Sequence, residues 1–185
     1  MLRKEDGDYL LKIAKLAIET YVKENRKIEM PSDCPDYLKD ELGVFVTLNK
    51  NNNLRGCIGY PEPIFPLIEA TIDSAISAAI RDPRFPQVSE GELDSLEYEI
   101  TVLTKPKLIE VEAPEEYLEK ITIGEDGLIV EKGFFKGLLL PQVATEYNMG
   151  RQEFLEHTCI KAGLSPNAWL ERETKVFNFQ GQIFK

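Results

Sequence analysis

Two residue types able to do chemistry stand two positions apart at Leu54-Arg55-Gly56-Cys57-Ile58-Gly59-Tyr60. In an extended strand successive side chains alternate between faces. Leu54, Ile58 and Tyr60 then point one way while Arg55 and Cys57 share the other. A guanidinium beside a thiol favours the thiolate, the form that acts as a nucleophile. Gly56 and Gly59 lack a Cβ, so a second backbone, a helix or a ligand can approach the strand closely there. The same residues also fit a tightly packed strand with a small buried cysteine, because free cysteine is among the most buried residue types.

A second cluster reads Arg81-Asp82-Pro83-Arg84-Phe85-Pro86. Its two prolines stiffen the loop, so its charged side chains lose less entropy on binding. Three of the chain's seven arginines, Arg55, Arg81 and Arg84, fall in these two segments. Folded over the strand, the loop would build a pocket for a small anion, since guanidinium forks match carboxylate and phosphate oxygens. The alternative is that Asp82 pairs with Arg55 or Arg84 and fastens the loop. The expected site is therefore Cys57 as the catalytic residue, with Arg55, Gly56, Gly59, Asp82 and Arg84 as ligand-binding residues.

Such a thiol needs a base, and the inventory is thin. Glu97 and Glu99 share the polar face of a strand and are the candidates. His157 is the only histidine; it falls off the apolar stripe of its helix and reads as solvated. Cys34, Cys57 and Cys159 are far apart and odd in number, which indicates neither a disulfide framework nor a structural zinc site. Without a second histidine the common metal-ligand sets are poorly stocked, and there is no Gly-x-Gly-x-x-Gly and no Gly-Lys-Ser/Thr, so neither a metal nor a nucleotide cofactor is expected.

These residues need a framework to hold them. From Asp8 to Glu24 apolar residues recur with helical spacing, and Asp6 or Asp8 caps the segment. Residues 26–42 form a polar, proline-punctuated connection. Gly43 to Asn49 is rich in β-branched and aromatic residues and forms a hairpin with the Arg-Gly-Cys strand through the polar turn at Lys50 to Asn53. A helix from Phe65 to Arg81 stops before Pro83, and its small residues let it lie close to the glycine-bearing strand. Leu96 to Thr104 alternates as a half-exposed strand, Lys105 to Val111 extends it, and Pro114 to Lys120 is one short helix. Ile121 to Glu131 reads as a hairpin turning at Asp126-Gly127. Gly137 to Leu140 is a third run, followed by helices from Pro141 to Asn148 and from Arg151 to Ala162, the latter closed by Gly163. Lys175 to Phe184 is a final strand. This order predicts an α+β fold, with a mainly antiparallel sheet flanked by helices. The 185 residues make one domain over 1–185, or two small packed α+β sub-domains.

Composition narrows the functional classes. At 43% hydrophobic and 29% charged, the chain reads as an ordinary globular protein. Its 32 acidic and 22 basic residues give a formal net charge of −10, which repels phosphate backbones and anionic membranes. No nucleic-acid or membrane partner is expected. The first residues carry no apolar signal region and no run reaches the ~18 apolar residues of a spanning helix, so a cytoplasmic location is expected.

Gly43-Val-Phe-Val-Thr-Leu, Leu54-Arg-Gly-Cys-Ile-Gly, Asp82-Pro-Arg-Phe-Pro, Leu139-Leu-Pro-Gln-Val-Ala and Lys161-Ala-Gly-Leu, in this order and spacing, closely resemble the AMMECR family. That family is named after the AMME chromosomal-region gene and is also called protein A of the AmmeMemoRadiSam system. The resemblance covers nearly the whole chain. It implies an α+β fold of two closely packed parts with the hexapeptide as functional centre, bearing on Leu54 to Gly59 and Asp82 to Pro86. It also implies a frequent genomic association with a Memo-type protein and a radical SAM enzyme, and so makes these two the expected partners. His157 matches no family motif. Two functions fit these expectations: a small-molecule-modifying enzyme or enzyme component built around Cys57, and a non-catalytic binding or adaptor module for partner proteins or an anionic ligand.

Overall fold

A computed structural model describes residues 2–185, which divide into two compact units. The first runs to Thr104 and takes back Gln182–Lys185; the second is Lys105–Gly181.

The first unit opens with α1, Lys4–Glu24, whose buried stripe is Leu10, Ile13, Ala14, Ala17 and Ile18. It starts one turn before the expected Asp8. Asp6 lies inside the first turn and accepts the backbone N–H of Arg3 at 2.7 Å, which satisfies a donor that would otherwise be orphaned. The helix ends at Asn25 in the left-handed region (φ 51°). Strands β1 (Val44–Lys50) and β2 (Asn53–Tyr60) then form an antiparallel hairpin. Its two-residue turn is Asn51-Asn52, both at positive φ, which matches the twist of the strands. Helix α2, Leu67–Ile80, follows, and β3, Glu97–Leu103, pairs antiparallel with the other side of β1. The strand order β2-β1-β3 leaves β2 at an edge. Val44, Val46, Leu48 and Ile100 project from the sheet into one core with Leu67 and Ile76 of α2.

In the second unit the elements are β4 (Lys107–Leu108), α3 (Tyr117–Lys120), β5 (Asp126–Lys132), β6 (Phe135–Leu139), α4 (Pro141–Glu146), α5 (Arg151–Lys161) and β7 (Lys175–Phe184). Their antiparallel order is β6-β5-β7-β4. Leu128 and Val130 of β5, Val176 of β7, Phe154 and Cys159 of α5, and Trp169 close the core. Both units are α+β with antiparallel strands flanked by helices, as the element order predicts.

One hairpin differs from its sequence reading. Residues 121–123 are not a strand, and the turn lies at Gly133-Phe134, between β5 and β6. Asp126 is fixed inside β5: its buried carboxylate accepts the Thr122 N–H at 2.8 Å and the side-chain amides of Asn178 and Gln180 at 3.2 and 3.3 Å. A Cβ on Gly127 would stand 2.3 Å from the Phe179 ring, so this glycine admits a ring rather than making a turn. Gly133 supplies the left-handed residue instead (φ 59°). Only Lys107–Leu108 of the expected extension over 105–111 is a strand.

Candidate functional site

The hairpin carries a β-bulge. Pairing runs Val46↔Ile58, Thr47↔Cys57 and Leu48↔Gly56, then shifts so that Asn49 faces Leu54. Arg55 is the extra residue, and a bulge breaks the two-residue alternation. Leu54, paired with Asn49, therefore moves to the face of Thr47 and Cys57, opposite to the sequence expectation. Arg55 does not join Cys57. Its Nε and Nη2 donate to Glu92 Oε1 and Oε2 at 3.1 and 3.2 Å, and Lys50 Nζ meets the same carboxylate at 3.0 Å. Glu92 also accepts the backbone N–H and the hydroxyl of Ser89, both at 3.1 Å. Arg55, then Ser89 and Lys50, hold the Glu92 carboxyl far below its ordinary range.

Gly56 faces α2 at a backbone-to-backbone approach: a Cβ there would lie 2.1 Å from the Ala78 carbonyl oxygen. Small residues on the helix and a missing side chain on the strand make this possible. Gly59 pairs with Phe45, and a Cβ there would lie 2.6 Å from the Phe45 ring and 2.2 Å from the Val44 oxygen. Both glycines are explained by packing inside the protein.

The proline-stiffened loop does fold onto β2. Asp82, whose side chain is 2% exposed, accepts the backbone N–H of Cys57 on Oδ2 at 2.9 Å. Arg84 donates Nε to Asp82 Oδ1 at 2.9 Å and Nη2 to Oδ2 at 2.7 Å, while Nη2 also reaches the Cys57 carbonyl at 3.2 Å. The outward N–H and C=O of Cys57 are thus both satisfied by one forked ion pair, whose carboxylate is buried and whose guanidinium is half exposed. Asp82 and Arg84 act here as a neighbouring strand would, closing part of an open sheet edge. Arg84, chiefly, holds the Asp82 carboxyl far below its ordinary range.

The three arginines expected to gather around an anion each have a carboxylate of their own: Arg55 on Glu92, Arg84 on Asp82, and Arg81 on Asp73 at 3.8 Å. Cys57 itself remains partly exposed, and its sulfur accepts a hydrogen bond from Thr47 Oγ1 at 3.3 Å. Across β1, Thr47 pairs with Glu99, which sets a thiol, a hydroxyl and a carboxylate in one cross-strand row. Glu99 also meets Lys185 Nζ at 2.8 Å. Glu97, opposite Asn49, is exposed and two pairs further along. The other two thiols, Cys34 and Cys159, are buried, and burial pushes both up. His157 is exposed on α5 in the second unit. Among the described residues, no group of three His, Cys, Asp or Glu side chains is placed to hold a metal ion, and no helix is long and apolar enough to cross a membrane.

Thr47 and Glu92 are absent from the sequence-based site. Glu92 leaves a signal, the Ser89-x-x-Glu92 capping spacing. Thr47 leaves none, because an unbulged hairpin closed at Asn51-Asn52 would pair it with Gly56.

The chain is similar to archaeal proteins along nearly its full length. A protein of Methanothermobacter thermautotrophicus is 53% identical over 183 residues, 99% of this chain and 95% of its own length. One from Thermofilum pendens is 48% identical over 193 residues, covering 99% of this chain and 91% of the relative. The crystal structure of the uncharacterized protein PH0010 from Pyrococcus horikoshii matches at a TM-score of 0.83 and 52% identity, over 98% of this chain and 92% of that one. The family model described as AMMECR1 matches residues 11–184. With that coverage and a fold shared at this identity, the chain belongs to the AMMECR1 family.

Proposed function

We propose that this protein is a small-molecule-modifying enzyme or a component of one, with Cys57 as the group that meets the substrate, working in the cytoplasm beside a Memo-type protein and a radical SAM enzyme. The observation that supports the chemistry is the treatment of Cys57: its backbone is held at both polar groups by the Asp82–Arg84 pair while the residue stays partly exposed. Holding a reactive atom in place before the substrate arrives is what a catalytic site requires. Thr47 donates to the sulfur and stabilises developing negative charge there. Glu99 is the base offered by the same row. Arg55, Gly56, Gly59 and Asp82 support the strand, and Arg84, whose side chain is 54% exposed, is the cation available to an anionic part of the substrate. The link to the Memo-type and radical SAM proteins follows from family resemblance.

The second reading, a non-catalytic adaptor, draws support from the pairing of all three arginines inside the chain, which suits a rigid recognition face better than an open anion pocket. Alkylation of the folded protein by iodoacetamide, read by mass spectrometry, tests the first reading. Cys57 is expected to react ahead of Cys34 and Cys159, and Thr47→Val to slow it by about 5-fold, the worth of a ~1 kcal/mol hydrogen bond. An inert Cys57, or a Cys57→Ser protein that leaves the assembled system fully active, would leave the adaptor.

A further inference from the structure

The second unit contains a hollow of about 410 Å³ between α4, α5 and the end of β6. Its walls are the aliphatic side chains of Leu139, Val143 and Ile160 with the adaptable thioether of Met149. Three polar groups reach it: the phenol of Tyr147, the imidazole of His157 and the ammonium of Lys161. His157, Ile160 and Lys161 are spaced i, i+3, i+4 on α5 and share one face of that helix.

Two features say what such a hollow suits. Its volume falls in the ~300–1,000 Å³ range of small-molecule sites, with the usual apolar lining and few polar groups. Two of its three polar groups, Lys161 and His157, are basic side chains, in a chain of net charge −10. Among the described residues, neither Lys161 nor His157 is paired with a carboxylate, unlike Lys132 and Lys136 of the neighbouring hairpin, which meet Glu171 and Glu131. An unpaired cation at the rim of an apolar hollow complements an anion with an apolar body.

We propose that this hollow binds a small free carboxylic acid, its apolar body against Leu139, Val143, Met149 and Ile160 and its carboxylate at Lys161 and His157. The proposal is independent of the Cys57 reading. His157, as the chain's single histidine, gives one set of imidazole resonances and so reports on this site alone.

The test is a titration of the full chain with octanoate, followed by NMR of the His157 imidazole, with octanol as the neutral probe and N-acetyl-trileucine as a peptide carboxylate. Octanoate should shift the signals saturably, octanol should bind more weakly, and Lys161→Met should weaken octanoate by about 10-fold while leaving octanol unchanged. Ile160→Glu, at an exposed position that tolerates a charge, should abolish binding without loss of fold. Absence of a saturable shift up to the solubility limit, equal binding of octanol, or an unaltered octanoate affinity in Lys161→Met overturns the proposal. Tighter binding of the peptide than of octanoate overturns the free-acid assignment and makes the hollow a peptide site.

Discussion

A methyl group at position 56 would have to occupy space already filled by the Ala78 carbonyl, 2.1 Å away. No side chain can rotate aside to relieve that contact, because both partners are backbone. Gly56→Ala must therefore push α2 off the sheet or bend β2, and overpacking of this kind costs about 1–3 kcal/mol or more. Gly91, with nothing near its missing Cβ, is the matched control, expected within about 0.5 kcal/mol of the parent on substitution by alanine. Urea denaturation of the two variants checks this. Equal midpoints would mean that α2 yields more easily than its buried face suggests.

At the scale of the element, β2 is an edge strand whose outward polar groups need partners, and the Asp82–Arg84 loop supplies them at Cys57. Asp82→Asn keeps the shape but removes the charge that both Arg84 and the Cys57 N–H rely on. The expected loss is about 1–3 kcal/mol, read as a fall in hydrogen-exchange protection at the Cys57 amide ahead of amides in β1. A Cys57 amide as protected as before would show that the loop does not carry the edge. The sequence reads well wherever one local pattern decides. The β-branched and aromatic residues of β7 mark Lys175 to Phe184, and the small residues of α2 announce its approach to a glycine-bearing strand. Sequence reading weakens where one extra residue changes a register. The bulge at Arg55 moves Leu54 to the other face and sends the guanidinium to Glu92, and no feature of Leu-Arg-Gly-Cys-Ile-Gly announces it. The loop reads as folding back on β2, yet whether Asp82 takes Arg55 or Arg84 depends on distances that only the folded chain sets. Asp126-Gly127 misleads because a turn-favouring pair is used instead for a buried carboxylate and for room beneath Phe179.

Over the whole molecule, the carboxyls held below their ordinary range are unevenly shared. Glu92 and Asp82 lie in the first unit, and so does Asp6, 5% exposed, whose carboxyl is held low by the Tyr37 hydroxyl first and then by Arg3, against the opposing effect of burial. All three have folded-state pKa values below their unfolded ones. Such a group contributes its stability above the unfolded value, about 3.9 for Asp and 4.3 for Glu, and loses it as pH falls from there toward the folded value. In the second unit Glu116 is also held low, chiefly by the Glu112 N–H, but its side chain is 34% exposed and solvent weakens its contribution. Acid should therefore loosen the first unit before the second. Hydrogen exchange by mass spectrometry near pH 3, corrected for intrinsic rates and compared with pH 7, should show protection lost first in β1, β2 and α1 while β5 and α5 hold. Simultaneous loss in both units, or earlier loss in β5 and α5, would mean that the ion pairs at Asp82 and Glu92 fix local geometry around Cys57 without setting the stability of the unit that carries it.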